Sequence, residues 1–230
     1  MNRDVEIVGK YLIKNVITLG YNLINQLFPN TCVLCEQKID FRQILCQDCR
    51  EKVFGVFPVM SVNKKFRFLD KLWTFTKYDE IRDVIINYKF TPRIRLSKIL
   101  AEALYKVYRS SPELKNIPHI TFVPSTKVSK LQRGFDHIEK LTYEFSKVSN
   151  TELLKFLKAI NKKPQIELDG KTRISNVIGK YRIAEIKTIP EKIVLIDDIV
   201  TTGSTIDECA KVLKSIGIKE VHGLTLAYNF

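Results

Sequence analysis

Two adjacent carboxylates and a hydroxyl-rich turn follow one apolar run, Lys192-Ile-Val-Leu-Ile-Asp197-Asp198-Ile-Val-Thr201-Thr202-Gly203-Ser204-Thr205. Paired acids can accept hydrogen bonds from two neighbouring hydroxyls of a sugar. The turn from Thr201 to Thr205 is expected to open a helix. Free N–H groups, a positive helix end and hydroxyls there suit a dianionic phosphate. Gly203 lets the backbone come close. The segment from Ile193 to Gly217 is therefore expected to bind a 5-phosphoribosyl group. The simpler alternative is an acidic strand end followed by an ordinary Ser/Thr helix cap. Two acids directly before an anion cradle would repel phosphate, however, unless they face a neutral diol. The chain has neither the Gly-Lys-Ser/Thr step of a Walker loop nor a Gly-x-Gly-x-x-Gly dinucleotide pattern here.

Four of the five cysteines form a second constellation, Cys32-x2-Cys35 and Cys46-x2-Cys49. Each two-residue gap lets a pair of thiolates face one ion, and two such knuckles complete a tetrahedral sulfur site. Zinc in a closed, structural site is expected, since no histidine stands nearby to mark an open catalytic position. Disulfides or an iron–sulfur cluster are the alternatives. Cys209 falls in a helical pattern and reads as a core residue.

Apolar spacing indicates the elements that must position these groups. Val5, Val8, Leu12, Val16, Leu19, Leu23 and Leu27 share one face of a predicted N-terminal helix. Leu72–Tyr78 alternates like a strand, Asp79–Lys89 and Arg95–Tyr108 read as helices, and Pro92 separates them. His119–Val123 reads as a strand, Ser125–Gly134 as a basic loop and Phe135–Phe145 as a helix. Pro164–Ile178 reads as irregular. Lys192–Ile196 is expected to be a buried strand, Thr205–Ile216 a helix and Glu220–Ala227 a last strand. The acids would then lie just past a strand end. Strands alternating with helices imply a parallel sheet covered on both faces. The expected organisation is a helix over 1–28, a four-cysteine module over 29–60 and an α/β domain over 61–230.

A net charge of +13 suits a polyanionic partner, although a solvated lysine surface gives the same balance. No run approaches a membrane span in length. Charges interrupt the N-terminal apolar stretch and it has no small-residue cleavage site, so a cytoplasmic protein without stable membrane insertion is expected.

The order of motifs resembles the ComF family. Asp197–Thr205 is similar to the phosphoribosyl pyrophosphate (PRPP) motif of type I phosphoribosyltransferases. Phe28-Pro29 ahead of the cysteine pairs resembles the family's N-terminal zinc module. Tyr78 and Ile85-Ile86-Asn87-Tyr88-Lys89-Phe90 resemble its apolar-Lys-aromatic step. Val123-Pro124-Ser125 with Arg133-Gly134-Phe135-Asp136 resembles its Pro-Val-Pro and Arg-Gly-Phe-Asn elements, and Gln165, Arg173, Asn176 and Val177 a further spaced segment. Phe122 and Ser125 replace the outer residues of Pro-Val-Pro, Asp136-His137 stands where Asn-Gln is usual, and Asn161-Lys162-Lys163 lacks the usual arginine.

The resemblance implies a type I phosphoribosyltransferase-like, Rossmann-like α/β domain behind a zinc module. It implies PRPP as ligand, with magnesium bridging the diol and pyrophosphate, and it leaves open whether transfer is catalysed. If it is, Ser125 and Lys127 would hold pyrophosphate and Arg133 would neutralise it as it leaves, under a Ser125–Gly134 loop that closes. It further implies a role in natural transformation, with imported single-stranded DNA and competence or recombination proteins as partners. Phe41, Arg42, Arg50, Lys52, Lys155, Lys158, Lys162, Lys163, Lys171 and Arg173 are candidate DNA contacts. A salvage or regulatory phosphoribosyltransferase without a DNA role is the competing reading.

Overall fold

The computed structural model describes residues 30–55, 61–90, 95–160, 179–184 and 188–230. The predicted helix at Val5–Leu27, the break at Pro92 and the stretch Pro164–Ile178, with Gln165, Arg173, Asn176 and Val177, lie outside the described residues. The chain divides into two compact units after Val53.

In the first unit β1 (Asn30–Thr31) pairs antiparallel with β2 (Lys38–Ile39), and α1 (Gln47–Phe54) follows. The link between the strands turns at Glu36, whose φ is 64°. Cys32 N–H donates to the Gln37 carbonyl at 2.8 Å and closes that turn. Two knuckles are thereby folded back on each other, and among the described residues of this unit Cys32, Leu45, Cys46 and Val53 are buried.

The second unit is built on five parallel strands: β3 (Lys71–Lys77), β4 (His119–Phe122), β5 (Glu152–Leu153), β8 (Lys192–Val200) and β9 (Glu220–Tyr228). Their order is β3-β9-β8-β4-β5. The direction of winding therefore reverses between β4 and β8, where open α/β sheets leave a crevice at the carboxyl ends. Ile193 to Ile196 are fully buried, as their uninterrupted apolar run requires. Ile193 and Leu195 pack with Ile206, Cys209 and Leu213 of α6 (Ser204–Lys214), so Cys209 is a core residue. Behind the sheet's other face lie α3 (Leu96–Ser110) and α5 (His137–Ser149), which meet through the Tyr108 and Phe145 rings at 5.4 Å. The α2 helix (Tyr78–Phe90) follows β3 and breaks helical geometry at Ile81.

Two expectations need correction. The strand over Lys192–Ile196 continues to Val200, because β9 keeps pairing with it through Asp197↔Thr225, Ile199↔Ala227 and Val200↔Tyr228. The acids thus lie inside the strand's final stretch rather than beyond it. The expected loop Ser125–Gly134 is mostly a helix, α4 (Lys127–Arg133). Thr126 Oγ1 caps it by accepting from Ser129 N–H at 3.2 Å, and Gly134 ends it at φ 76°. Its composition hid it, since it buries no residue and leaves Val128 and Leu131 exposed.

A small antiparallel pair, β6 (Leu157–Ala159) with β7 (Tyr181–Ile183), packs Tyr181 against α6. The segment before β3 is fastened to the same helix. Asp207 accepts from the N–H groups of Arg67, Phe68 and Leu69 at 3.3, 2.8 and 2.9 Å. The Phe66 ring fills the space behind Gly203, where a Cβ would meet it at 2.5 Å.

Candidate functional site

A cleft opens where β4 and β8 end. Asp197 and Asp198 line it together with Thr205, the first residues after β4 from Val123 to Thr126, Ser129 and Arg133 of α4, His137 of α5, Lys89 of α2, and Lys180 with Tyr181 beside α6. Gly203, at φ 83°, turns the chain into α6. Of the five turn residues only Thr205 reaches this lining. Thr201 and Thr202 are exposed, and Thr202 Oγ1 lies 3.0 Å from Ser204 Oγ.

The two acids are both buried, and neighbouring residues in a strand point to opposite faces. Asp198 Oδ2 accepts from Lys89 Nζ at 2.6 Å and from His137 Nε2 at 2.8 Å, while Oδ1 takes Ile199 N–H at 2.6 Å. Burial works to raise the Asp198 carboxyl, yet Lys89 and then His137 outweigh it and hold it well below the usual carboxylate range. Asp197 Oδ1 accepts only the N–H of Asp198, at 2.9 Å, among the described residues. Burial first, then the charge of Asp198, push its carboxyl well above that range.

Asp197 therefore has a measurable signature. A carboxyl whose folded pKa is raised detracts from stability at pH above that value. The penalty fades as pH falls toward the unfolded value of about 4, because the folded state takes up its proton first. Asp197→Asn is expected to melt higher than wild type at pH 8, with the gap narrowing toward pH 5. Thermal melts across that range check it, and an unchanged Tm at pH 8 would contradict the burial.

The other predicted site residues divide. Ser125 lines the cleft, but its N–H and Oγ both donate to Asp136, at 3.2 and 2.9 Å. Asp136 also caps α5 through the N–H groups of Ile138 and Glu139 and pairs with Lys130 at 2.9 Å. Its burial opposes ionisation, but Lys130 and Ser125 hold the carboxyl below its ordinary range. Arg133 lines the cleft, whereas Lys127 is exposed and lies outside the lining. Arg133 Nη1 is 2.8 Å from His137 Nδ1, and its guanidinium lies 5.5 Å from the Phe90 ring centroid. Sequence reading missed Lys89, His137, Thr126 and Ser129. Lys89 carried a signal as the charged member of an apolar-Lys-aromatic step, and His137 stood beside Asp136 where Asn-Gln is usual, but neither was given a role.

In the first unit the Sγ atoms of Cys32, Cys35, Cys46 and Cys49 all lie within 4.8 Å of one another, with Cys35 and Cys46 at 3.6 Å. Tetrahedral zinc with bonds of about 2.3 Å sets sulfurs about 3.8 Å apart, so the donor set fits that ion. Burial opposes the Cys32 thiolate, but backbone N–H donors bring its pKa to about 6. Burial and then the neighbouring thiols push Cys49 far upward. Cys32 thus takes a negative charge readily, while Cys35 and Cys49 resist further charge until a dication joins them.

Residues 131–229 match the Phosphoribosyl transferase domain family, and residues 23–59 match the Double zinc ribbon domain. The chain is 31% identical to competence protein ComFC of Streptococcus pneumoniae, over 79% of this chain and 74% of that protein. It is 28% identical to competence protein F of Haemophilus influenzae, over 69% and 72% respectively. A solved allosteric regulatory enzyme of purine biosynthesis overlaps 61% of this chain and 29% of its own, at a TM-score of 0.41 and 16% identity. The fold assignment rests on the parallel sheet and the matched domain. The chain belongs to the ComF family, in which a four-cysteine zinc module precedes a phosphoribosyltransferase-like domain.

Proposed function

We propose that the protein binds PRPP in this cleft and acts in the cytoplasm on imported single-stranded DNA during natural transformation. The observation that carries the binding is the meeting of the acid pair with the start of α6 at the sheet's switch point. The ribose diol lies at Asp197–Asp198, the 5′-phosphate on Thr201–Thr205, and the pyrophosphate toward Ser125, Thr126, Ser129 and Arg133. Magnesium favours phosphate oxygens and water over protein cages. Among the described residues the cleft offers it two carboxylates, one of them already engaged by Lys89 and His137, so it would arrive on PRPP's own oxygens and offset pyrophosphate charge.

The DNA role is supported by the competence names of the relatives and by the charge of +13. Arg42 lies 5.6 Å from the Phe41 ring, a basic–aromatic pair of the kind that stacks on bases. Lys155, by contrast, is already paired with Glu139 at 2.5 Å, and Lys162, Lys163, Lys171 and Arg173 lie outside the described residues.

Calorimetric titration with PRPP and magnesium should give one saturable site, displaced by ribose 5-phosphate; no heat at any concentration would end the binding reading. Fluorescence anisotropy should show single-stranded DNA affinity falling roughly fiftyfold between 50 and 200 mM salt if about four phosphates are neutralised. Salt-insensitive or absent binding removes the DNA role. Pyrophosphate release in the presence of acceptor bases reports whether transfer follows binding.

A further inference from the structure

We infer, resting on the reading that the protein acts on single-stranded DNA, that the strand is gripped by a basic–aromatic strip ahead of β3. Lys64, Lys65 and Arg67 meet its phosphates, and the Phe68 and Phe230 rings take its bases.

The strip is continuous in sequence as Lys64-Lys65-Phe66-Arg67-Phe68. Its residues alternate, with Lys65 and Arg67 exposed and Lys64, Phe66 and Phe68 half-buried. Phe66 and Phe68 pack against the core around Ile206 and Leu213 of α6. Val62 bridges to Leu72 of β3 and fixes the stretch on its other side. The cations stand against rings. Lys64 Nζ lies 3.8 Å from the Phe230 centroid, and the Arg67 guanidinium lies 5.2 Å from that of Phe68. Phe230 is 51% exposed. Asn229 N–H donates to the Val200 carbonyl at 2.9 Å, which sets Phe230 beside the Thr201–Thr205 turn.

Charge and shape name the occupant. Lys64, Lys65 and Arg67 have no carboxylate side-chain partner among the described residues. The acids of this neighbourhood are engaged elsewhere: Asp207 by the N–H groups of Arg67, Phe68 and Leu69, and Asp70 by Lys214 at 2.8 Å and Val221 N–H at 2.7 Å. Three crowded cations without a counter-charge attract a polyanion. Stacking on a ring requires a base whose face is free, which a single strand offers and a duplex hides. An acidic protein segment supplies the charge and no planar partner for the rings.

The test titrates the full chain into labelled oligothymidylate about 20 nucleotides long and follows fluorescence anisotropy across salt. Lys64→Gln, Lys65→Gln and Arg67→Gln together should weaken binding about tenfold or more at about 50 mM salt. They should also flatten the slope of log affinity against log salt by about 2, since each phosphate contact on a single strand accounts for about 0.7. Phe230→Ala should weaken binding about fivefold or more and leave the slope unchanged, because stacking releases no counterions. Lys98→Gln, Arg109→Gln and Lys147→Gln remove the same charge from exposed positions on α3 and α5, and together should stay within about twofold of wild type. Lys65→Gln with Arg67→Gln carries the test if thermal melts show the triple variant of the strip unfolded. A polyglutamate peptide should bind more weakly than DNA and be indifferent to Phe230→Ala. Equal sensitivity would give the strip to an acidic protein and overturn the inference. Wild type that binds DNA overturns it too, with the DNA role intact, if the strip variant is no weaker than the α3–α5 variant or if Phe230→Ala changes nothing. Wild type that binds no oligothymidylate at low salt overturns the inference and the DNA role together.

Discussion

Chelating the metal from the four-cysteine module, or replacing Cys46 with serine, is expected to unfold residues 30–53 as a folded unit. Among the described residues the module has two strands of two residues each and one short helix, and few buried apolar side chains. It has no disulfide to hold it. Structural zinc sites of this kind contribute about 10–16 kcal/mol of apparent binding free energy at neutral pH, which is also their folding energy. The four sulfurs already stand at separations that one ion would bridge. Metal analysis of protein purified without chelator should give one zinc per chain. Amide chemical-shift dispersion across 30–53 should collapse on chelation and return with added zinc. A metal-free chain that keeps that dispersion would refute a structural zinc.

The second large effect is expected from Asp197→Ala combined with Asp198→Ala, which should abolish measurable PRPP binding. Each hydrogen bond to a charged group is worth about 1.5–3 kcal/mol, so removing two predicts a loss of roughly a hundredfold to ten-thousandfold. The fold should survive. Lys89, released from Asp198, is 18% exposed and can extend its ammonium toward water. Removing Asp197 also deletes a carboxyl that is buried against its own charge. Circular dichroism should match wild type while calorimetry falls silent, and unchanged affinity would contradict the assignment of the acids. Asp197→Asn alone should separate the two properties, gaining stability at pH 8 while weakening the sugar site.

What could be read beforehand followed from how far each signal depended on neighbours in sequence. Ile193–Ile196 announced a buried strand because burial on both faces leaves no polar position to alternate. The cysteine pairs were legible because metal geometry fixes their spacing whatever lies around them. The C-terminal extension of β8 was not legible, since Asp197 and Asp198 are poor strand residues and only pairing with β9 holds them extended. The α4 helix has no buried side to create a periodic pattern. Lys89 and His137 are 109 and 61 positions from Asp198 and meet it only once the sheet is wound. Ser125 was read as a ligand group from its place after a strand, yet its hydroxyl donates to Asp136, 11 residues on.

The bonds from Asp207 to Arg67, Phe68 and Leu69, with the Phe66 ring behind Gly203, bear on where this protein can be cut. A fragment starting at Lys71 would include every strand of the large sheet and still lack the buttress at the rear of the Thr201–Thr205 turn. The turn would then have to be ordered by the proposed ligand, at an entropic penalty that the longer chain meets during folding. Fragments begun a few residues upstream of Phe66 should keep a receptor that is rigid while empty.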